Sequence, residues 1–334
     1  MHDYFLGVDV GGTKSEVCLL ALERSTDFHS YKIVARERMS THRTGTLDEF
    51  LVKLHQLINS VLTAQKLKIE EMKGIGIGLP GSINPLSQQM VAGSIPFFLN
   101  VPLIAPFRRA LNYSGTIVFD NDANCFALAE AYLGAGASWA KKNKVPMEEL
   151  CMIGVILGTG VGGGLIVKGE LVRGRRGGAG EIGHMCLIES GLPCYCGKFG
   201  CSEQYLSGTA FENSYAMRVG DKTLAKGNEI FKKVDEQDPV ALATLEHYKD
   251  HMVSFFSNLC NFLDPHVIVL GGGMSTQSKI YEGIHERLSK ECFLTANPPD
   301  VLSYECGDSA GVFGAALLSF SATKAHRIGP EGLT

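Results

Sequence analysis

The chain has 334 residues, of which 45% are hydrophobic and 20% charged, and its formal net charge is −4. This length accommodates two domains with a large buried core, and the composition is ordinary for a globular protein. The slight acidic excess argues against a nucleic-acid surface or an anionic-membrane binder. No apolar run is as long as a membrane-spanning helix, and strand-like sequence from Tyr4 leaves no room for a signal peptide. We therefore expect a cytoplasmic protein whose partners are small molecules.

The first predicted elements are strands joined only by turns. They cover residues 5–10, 15–22 and 33–40. A helix follows over residues 47–62, where apolar residues recur at helical spacing. A later helix begins at Asn121-Asp122, directly after a strand at 116–119, and ends at Gly134.

The second half of the chain repeats this order. Strands at 152–157, 164–168 and 170–172 come before a long helix at 239–262, and a strand at 267–270 precedes a helix from Ser275. Two strand–strand–strand–helix copies, each opened by a glycine-rich turn, predict an α/β protein with the duplicated actin-like ATPase fold, which is ribonuclease H-like. We place the domains at residues 1–120 and 121–310, with a cleft between them. A C-terminal helix at about 311–334 is expected to pack on the first domain.

Three glycine turns that follow buried strands are candidates to bind nucleotide phosphates. In the first, Asp9 precedes Gly11-Gly12-Thr13-Lys14, so that backbone N–H groups, a hydroxyl and an ammonium can approach phosphate oxygens while Asp9 holds Mg²⁺ through water. The other two are Gly158-Thr159-Gly160 and Gly271-Gly272-Gly273. Each alone also fits an ordinary strand connection. Together they favour a cleft that binds Mg·ATP.

Asn121-Asp122 places a carboxylate at the carboxyl end of a strand, where α/β proteins bind ligands. Asp122 there could accept the proton of a sugar hydroxyl that attacks the γ-phosphate of ATP. The alternative is structural, because Asp and Asn are the ordinary residues that cap helix N-termini.

One histidine and three cysteines have the spacing of a tetrahedral zinc site: His184, Cys194, Cys196 and Cys201. The alternative is a set of reduced, buried cysteines, but their close spacing and the glycines among them favour a metal. With four protein ligands the site would be closed and structural. The remaining cysteines are scattered, and those in apolar or helical patterns behave as small hydrophobes, which agrees with a reducing cytoplasm.

Glu181 and Glu203 flank this cluster and are candidates to hold vicinal sugar hydroxyls, since a carboxylate accepts two such hydrogen bonds. Their alternative role is that of exposed loop acids. A zinc-bound His184 would keep one ring N–H to donate to a substrate hydroxyl. The arginines at 173–176 are expected in a solvated loop.

These residues resemble the ROK family of sugar kinases and related repressors. The matching segments, which occur in family order over nearly the whole chain, are 9–14, 78–82, 121–124, 158–160, 180–184, 194–201, 203, 207–208 and 271–273. The resemblance implies an actin-like hexokinase fold, an ATP-dependent hexose kinase, Mg²⁺ with ATP, a structural Zn²⁺ and commonly a homodimer.

The resemblance also implies residue roles, with Asp122 as the catalytic base that deprotonates the sugar 6-hydroxyl. The implied sugar-binding positions are Gly81, Ser82, Asn100, Asn121, Asp122, Glu181, His184 and Glu203. The implied nucleotide-binding positions are Asp9, Gly11, Gly12, Thr13, Lys14, Gly158, Thr159, Gly160, Gly271 and Gly272. The implied zinc ligands are His184, Cys194, Cys196 and Cys201.

Two kinds of function compete within this resemblance. ROK repressors carry a helix-turn-helix before the first strand, whereas strand-like sequence here starts at Tyr4, and the acidic charge agrees with the absence of nucleic-acid binding. A non-catalytic sugar sensor is expected to lack the base, and Asp122 is present. We therefore expect a kinase.

The sugar is harder to predict because the motifs divide among branches of the family. Segments 80–85 and 194–198 look like fructokinases and mannokinases, 181–185 like glucokinases, and 124–128 and 160–165 like N-acetylglucosamine kinases. Pro96-Phe97-Phe98-Leu99-Asn100 stands where the family often has Gly-Trp before an asparagine, a departure expected to alter the pocket wall. We expect glucose, with fructose, mannose or N-acetylglucosamine as alternatives.

Overall fold

The computed structural model describes residues 2–23, 31–41, 44–84, 87, 89–93, 95–220, 225–294 and 297–325. The chain forms two compact units. Unit 1 comprises Met1–Gly134, Leu171–Ala179 and Cys306–Thr334, and unit 2 comprises Ala135–Glu170 and Gly180–Glu305. Within the described ranges, no helix is both long and apolar enough to cross a membrane.

Unit 1 is built on a five-stranded mixed sheet. Its elements are β1 (His2–Val10), β2 (Lys14–Glu23), β3 (Tyr31–Ser40), α1 (Leu47–Ala64), β4 (Met72–Leu79), a hairpin of β5 (Gly81–Asn84) and β6 (Gln89–Gly93), α2 (Ile104–Leu111), β7 (Thr116–Asn121) and α3 (Asp122–Leu133). The sheet order is β3-β2-β1-β4-β7; β1, β2 and β3 are antiparallel neighbours, and β4 lies parallel to both β1 and β7. The carboxyl ends of β1, β4 and β7 therefore meet at one edge.

Local sequence explains where α1 begins and which face it buries. Thr46 accepts a hydrogen bond from the Glu49 N–H while the Glu49 carboxylate accepts from the Thr46 N–H, a reciprocal N-terminal cap. The apolar face of α1 packs into the unit 1 core, which includes the fully buried Phe98 and Phe107. Phe98 is the last residue of a 3₁₀ turn at Pro96–Phe98 and contacts Phe50 in a T-shaped pair. This ring lies in the core, so the expectation that it alters the pocket wall is wrong for Phe98.

The last helix, α10 (Ala310–Ala325), packs directly on β1 and β4. Glycines permit this close approach, because a methyl group at Gly76 would overlap the carbonyl oxygen of Ala315 and one at Gly7 would overlap that of Val312. Over the described residues, the C-terminal helix thus packs on β1 and β4. Residues 326–334 of the expected helix lie outside them.

Unit 2 repeats the sheet of unit 1. Its elements are α4 (Ala135–Asn143), β8 (Met152–Leu157), β9 (Val161–Val167), α5 (Glu203–Leu206), α6 (Gly208–Val219), α7 (Gly227–Asp235), α8 (Pro239–Leu263), β11 (Val267–Gly271), α9 (Ile284–Glu291) and β12 (Asp300–Ser303), and its sheet is completed by β10 (Glu170–Val172), which begins in unit 2 and ends in the unit 1 segment from Leu171. The order β10-β9-β8-β11-β12 matches β3-β2-β1-β4-β7 strand for strand, with β8 and β9 antiparallel and β11 parallel to both neighbours. This repeat is the duplication predicted from the sequence.

The prediction that a helix begins at Ser275 is wrong about where the helix starts. Two 3₁₀ turns, Gly273–Thr276 and Ser278–Ile280, come first, and α9 begins only after Gly283, whose φ is 75°. The Ser275 hydroxyl donates to the Gly272 carbonyl at 2.7 Å, and the Ser275 carbonyl accepts from the Tyr281 hydroxyl at 2.8 Å. These local hydrogen bonds compete with a regular helix.

Candidate active site

The turn between β1 and β2 carries the first predicted nucleotide-binding residues, and all of them lie in unit 1. The Gly11 N–H donates to the Lys14 carbonyl at 2.9 Å, which closes a tight turn and leaves Thr13 and Lys14 exposed. Asp9 is the penultimate residue of β1, and its carboxylate lies against Gly311 in the first turn of α10. A side chain at Gly311 would displace that carboxylate, so this glycine shapes the site.

The protonation of Asp9 is strongly perturbed. Burial raises the pKa of its carboxyl to about 7, and the negative charges of Asp122 and Glu16 act in the same direction. Lys14 and Arg38 oppose the shift. A carboxyl with a neighbouring carboxylate and few compensating charges is a fitting position for a divalent cation, which would favour the ionised form.

A network of charges beside this turn was not found by sequence reasoning. Asp308 pairs with Arg38 Nη1 at 3.0 Å and with Lys14 Nζ at 3.4 Å, while Arg38 Nε pairs with the buried Glu16 at 3.0 Å. The Arg38 hydrogen bond lowers the pKa of Asp308 to about 2. Ser309 accepts from Arg38 and donates to Glu16, at 2.9 Å in each case. The network joins β2, β3 and the start of α10, which are far apart in sequence.

At the junction of β7 and α3, the sequence left open whether Asn121-Asp122 caps the helix or supplies a catalytic carboxylate, and the structure gives the two residues different positions. Asn121 is the helix cap, because its side-chain oxygen accepts from the Asn124 N–H at 2.6 Å. Asp122 is the first helical residue, and its side chain is exposed. The capping role therefore falls to Asn121, and the carboxylate of Asp122 lies at the helix start, where the dipole favours negative charge.

Asp120, the residue before this junction, stabilises it through hydrogen bonds. Its Oδ1 accepts from the Asn121 N–H at 2.9 Å and from Asn124 Nδ2 at 2.7 Å, and its Oδ2 accepts from Arg173 Nε at 2.5 Å. The expectation that Arg173 lies in a solvated loop is wrong, since it is half-buried in this ion pair. No sequence motif links Asp120 to Arg173, and only the fold brings these two residues together.

The remaining sugar-side predictions in unit 1 lie near the β5–β6 hairpin. Gly81 begins β5, and Ser82 follows it there, although the Ser82 side chain is outside the part that the structure describes. Asn100 is exposed, has a φ of 59° and donates its N–H to the Met90 carbonyl on β6 at 2.9 Å.

The two glycine turns of unit 2 lie next to each other at the carboxyl ends of β8 and β11. The Gly158 N–H donates to the Gly160 carbonyl at 3.0 Å, and the Gly158 carbonyl accepts from the Gly208 N–H at 2.7 Å. Gly272 has a φ of 82° and comes so close to the Leu157 carbonyl that a side chain there would collide with it. Gly271 is buried at the end of β11.

A pocket of about 620 Å³ opens beside these turns and is lined by residues of unit 2 alone. Its lining includes Gly158, Thr159 and Gly273 together with Lys226 and Glu212, whose side chains form an ion pair at 3.3 Å. A cavity of this size beside two glycine turns is compatible with a nucleotide.

The four predicted metal ligands are brought together. Their ligand atoms all lie within 4.8 Å of one another, with His184 Nδ1 3.6 Å from Cys194 Sγ and Cys196 Sγ 3.6 Å from Cys201 Sγ. Ligand atoms of a tetrahedral zinc ion lie about 3.6–3.8 Å apart, given its usual bond lengths. The residues therefore fit Zn²⁺, and Nδ1 is the ring nitrogen of His184 that lies 3.6 Å from Cys194 Sγ.

The loop at residues 184–201 carries these four predicted ligands and is called the metal loop below. Glu181 and Glu203 lie on either side of it, and both belong to unit 2. Glu203 begins α5 and its Oε2 accepts from the Val161 N–H at 3.0 Å, while Glu181 is exposed. Sequence reasoning overlooked Tyr195, whose hydroxyl lies 3.1 Å from His184 Nε2. Its place between Cys194 and Cys196, two of the predicted metal ligands, was the available signal.

A family model described as the ROK family matches residues 5–321. The chain is 34% identical over 325 residues to the N-acetyl-D-glucosamine kinase of Vibrio atlanticus, covering 94% of this chain and 99% of that protein. It is also 34% identical over 325 residues to the N-acetyl-D-glucosamine kinase of Erwinia tasmaniensis, covering 94% and 98%.

Two solved structures share the fold. The ROK hexokinase of Thermus thermophilus superposes with a TM-score of 0.81 at 25% identity, covering 96% of this chain and 99% of that one. The ROK family glucokinase of Streptomyces griseus, solved with glucose and AMPPNP, gives 0.71 at 25% identity, covering 95% and 99%. The predicted fold class is confirmed, and the chain belongs to the ROK family.

Proposed function

We propose that this ROK protein is a sugar kinase that transfers the γ-phosphate of Mg·ATP to the 6-hydroxyl of N-acetylglucosamine. The observation that carries the chemistry is the exposed carboxylate of Asp122 at the start of α3, with the capping role taken by Asn121. The observation that favours this sugar is the identity of 34% to N-acetyl-D-glucosamine kinases over nearly the full length of both chains.

In the proposed reaction Asp122 accepts the proton of the 6-hydroxyl as that oxygen attacks the γ-phosphorus. The new O–P bond forms while the bond from the γ-phosphorus to the β–γ bridging oxygen breaks, and ADP leaves with the bonding electrons. Asp9 would hold Mg²⁺ through water, and the cation would neutralise charge on the phosphates. The turns at 11–14, 158–160 and 271–273, with Lys14, would bind the phosphate oxygens, although the Gly11 and Gly158 N–H groups donate within their own turns.

Glu181 and Glu203 would accept hydrogen bonds from sugar hydroxyls, while Asn121, Asn100 and the Gly81-Ser82 turn would supply further polar contacts. Zn²⁺ would be held by His184, Cys194, Cys196 and Cys201 and would supply a fixed mount with no part in the chemistry. If His184 bound the ion through Nδ1, its remaining ring proton would be on Nε2, which could donate to a sugar hydroxyl.

The expected preference for glucose finds no support in these relatives. A substrate panel decides the matter: N-acetylglucosamine, glucose, mannose and fructose are compared by kcat/KM in a coupled assay for ADP release. N-acetylglucosamine should give the highest value. A higher value for glucose would overturn the sugar assignment alone, whereas no turnover of any hexose by pure, metal-loaded protein would overturn the kinase.

We also propose a homodimer, on the family resemblance. Sedimentation velocity at several protein concentrations tests it, with a single species near twice 36.1 kDa as the expected result. A monomer at all concentrations would contradict it.

A further inference from the structure

Two histidines that the proposed reaction does not use lie one helical turn apart on α8. His247 and His251 have the i, i+4 spacing that places both side chains on one face of a helix. Their ring centroids are 4.3 Å apart, with an angle of 61° between the planes. The pair therefore offers two imidazole groups at one point on unit 2.

The separation of the two rings is close to that of two imidazoles on one metal ion. Metal–nitrogen bonds of about 2.0–2.1 Å, with ligand angles between a right angle and the tetrahedral value, would place the ring centroids about 4.5–5 Å apart. The observed 4.3 Å lies just below this range, so a small rotation of either ring is enough to reach it. Imidazole nitrogens suit Zn²⁺, Cu²⁺ and Ni²⁺, whereas Mg²⁺ and Ca²⁺ take oxygen ligands. The pair therefore fits a transition metal.

The ring nitrogens of both histidines are available to a ligand. Neither imidazole hydrogen-bonds to another residue in the part of the chain that the structure describes. His247 is exposed, and His251 is half-buried, with its ring centroid 5.0 Å from that of Tyr205. Burial, followed by the effect of His247, lowers the pKa of His251 to about 4. At pH 7 His251 is therefore neutral, and the neutral imidazole is the form that binds a metal.

A cavity of about 340 Å³ beside the pair leaves room for the other ligands of an ion. Both histidines line it, together with Asn213 and Ser214 of α6, whose side chains carry oxygen atoms. Two protein ligands leave two positions of a four-coordinate ion open, and water or these oxygen atoms would fill them. Asp250 and Arg218, the charged residues that act on His251, have opposite signs, so their effects on a cation partly offset each other.

We propose that His247 and His251 form a second metal site, which binds a divalent transition ion exchangeably and turns the open positions of that ion toward the cavity. The site differs from the closed site proposed for the metal loop, because only two of its ligands come from protein. Binding would link one turn of α8 and stabilise the folded protein by mass action. The inference requires neither the metal loop nor the kinase reaction.

The test titrates ZnCl₂ into purified, desalted protein whose zinc content has been measured first, in competition with a fluorescent zinc chelator. The wild-type protein should bind one Zn²⁺ per chain beyond the ion of the metal loop. His247→Gln and His251→Gln should each weaken this binding by more than about tenfold, since even a residue that only supports a metal ligand contributes that much. Both variants should keep the metal-loop zinc. His285→Gln, at an exposed histidine of α9, is the matched control and should bind as the wild type does.

Electron paramagnetic resonance of the protein with one added CuCl₂ gives a second readout, because two imidazole nitrogens on one Cu²⁺ produce a splitting that each variant should lose. Three results would overturn the inference: no additional Zn²⁺ on the wild-type protein, additional binding that both variants retain, or equal weakening by His285→Gln, which would mean that surface histidines bind the ion without preference. Protein that holds no zinc before the titration would contradict the metal loop alone.

Discussion

The carboxylate of Asp120 and the guanidinium of Arg173 form an ion pair beneath the start of α3, with Arg173 Nε 2.5 Å from Asp120 Oδ2. The other oxygen of Asp120 accepts two hydrogen bonds from the strand–helix junction itself. Arg173 comes from the segment at 171–179, which joins unit 1 from a distant part of the sequence. The pair therefore fixes the junction that carries Asp122.

Arg173→Met should lower both stability and turnover. It leaves the buried carboxylate of Asp120 without its cation, at a cost of about 1–2 kcal/mol after allowance for the partial exposure of the arginine. We expect a lower Tm and a kcat reduced about tenfold, measured by thermal unfolding and ADP release. Arg175→Met, at an exposed neighbouring position, is the control. Wild-type kcat in Arg173→Met would show that the pair does not position Asp122.

Asp122→Asn and Asn121→Ala should separate catalysis from capping. Loss of a general base typically reduces the rate by about 10²–10⁴-fold, so Asp122→Asn should lose kcat by that amount and retain sugar binding and Tm. Asn121→Ala removes the cap and should lose about 1 kcal/mol of stability. The measurements are kcat, calorimetric sugar affinity and unfolding free energy. Near-normal turnover by Asp122→Asn would exclude it as the base.

The metal loop gives a prediction with a built-in control. The purified protein should contain about one zinc per chain, and Cys201→Ser should lose the metal together with a large part of its thermal stability, since metal binding is coupled to folding of the loop. Cys186→Ser alters an exposed cysteine next to the loop but outside the four-residue cluster, and it should keep its zinc. Metal analysis by mass spectrometry and unfolding with and without chelator test both variants. Zinc-free wild-type protein would contradict the site.

How far the sequence predicts this molecule depends on the range of each interaction. The strands, the α1 cap and the Cys/His cluster follow from local patterns, because turns, helix caps and metal ligands occupy fixed spacings. The repeat of sheet order in the two units follows from the repeated strand pattern. Asp120–Arg173 and the Arg38–Asp308 network could not be predicted, since no local rule pairs charged residues that only the fold brings together.

Tyr195 shows a second limit of sequence reasoning. Its position between two cysteines was visible, yet an aromatic residue in a loop is most often a surface residue with no contact of note. Only the placement of its hydroxyl 3.1 Å from His184 Nε2 distinguishes it from Phe199 in the same loop. The helix expected from Ser275 failed for a related reason, because hydrogen bonds of single side chains decide the backbone there.

Asp9 makes the stability of the nucleotide-free protein depend on pH. An ordinary aspartate carboxyl has a pKa of 3.8, and burial raises the pKa of Asp9 to about 7 in the folded protein. Between these two pH values the folded state binds a proton that the unfolded state has lost, so folding is most favoured below pH 4 and this contribution declines until about pH 7. Above that pH the carboxyl is ionised in both states, so the loss of folding stability that it causes stays constant.

Asp9→Asn, which carries no charge in either state, should lack this decline. The difference in Tm between Asp9→Asn and wild type should therefore grow in favour of the variant from about pH 4 to pH 7 and then level off, measured without Mg²⁺ or nucleotide. Binding of Mg·ATP requires the ionised carboxylate, so at pH 6 it should release protons, which calorimetry in buffers of different ionisation enthalpy detects. A Tm difference that does not vary with pH would show that Asp9 is ionised throughout, and proton release would then be absent as well.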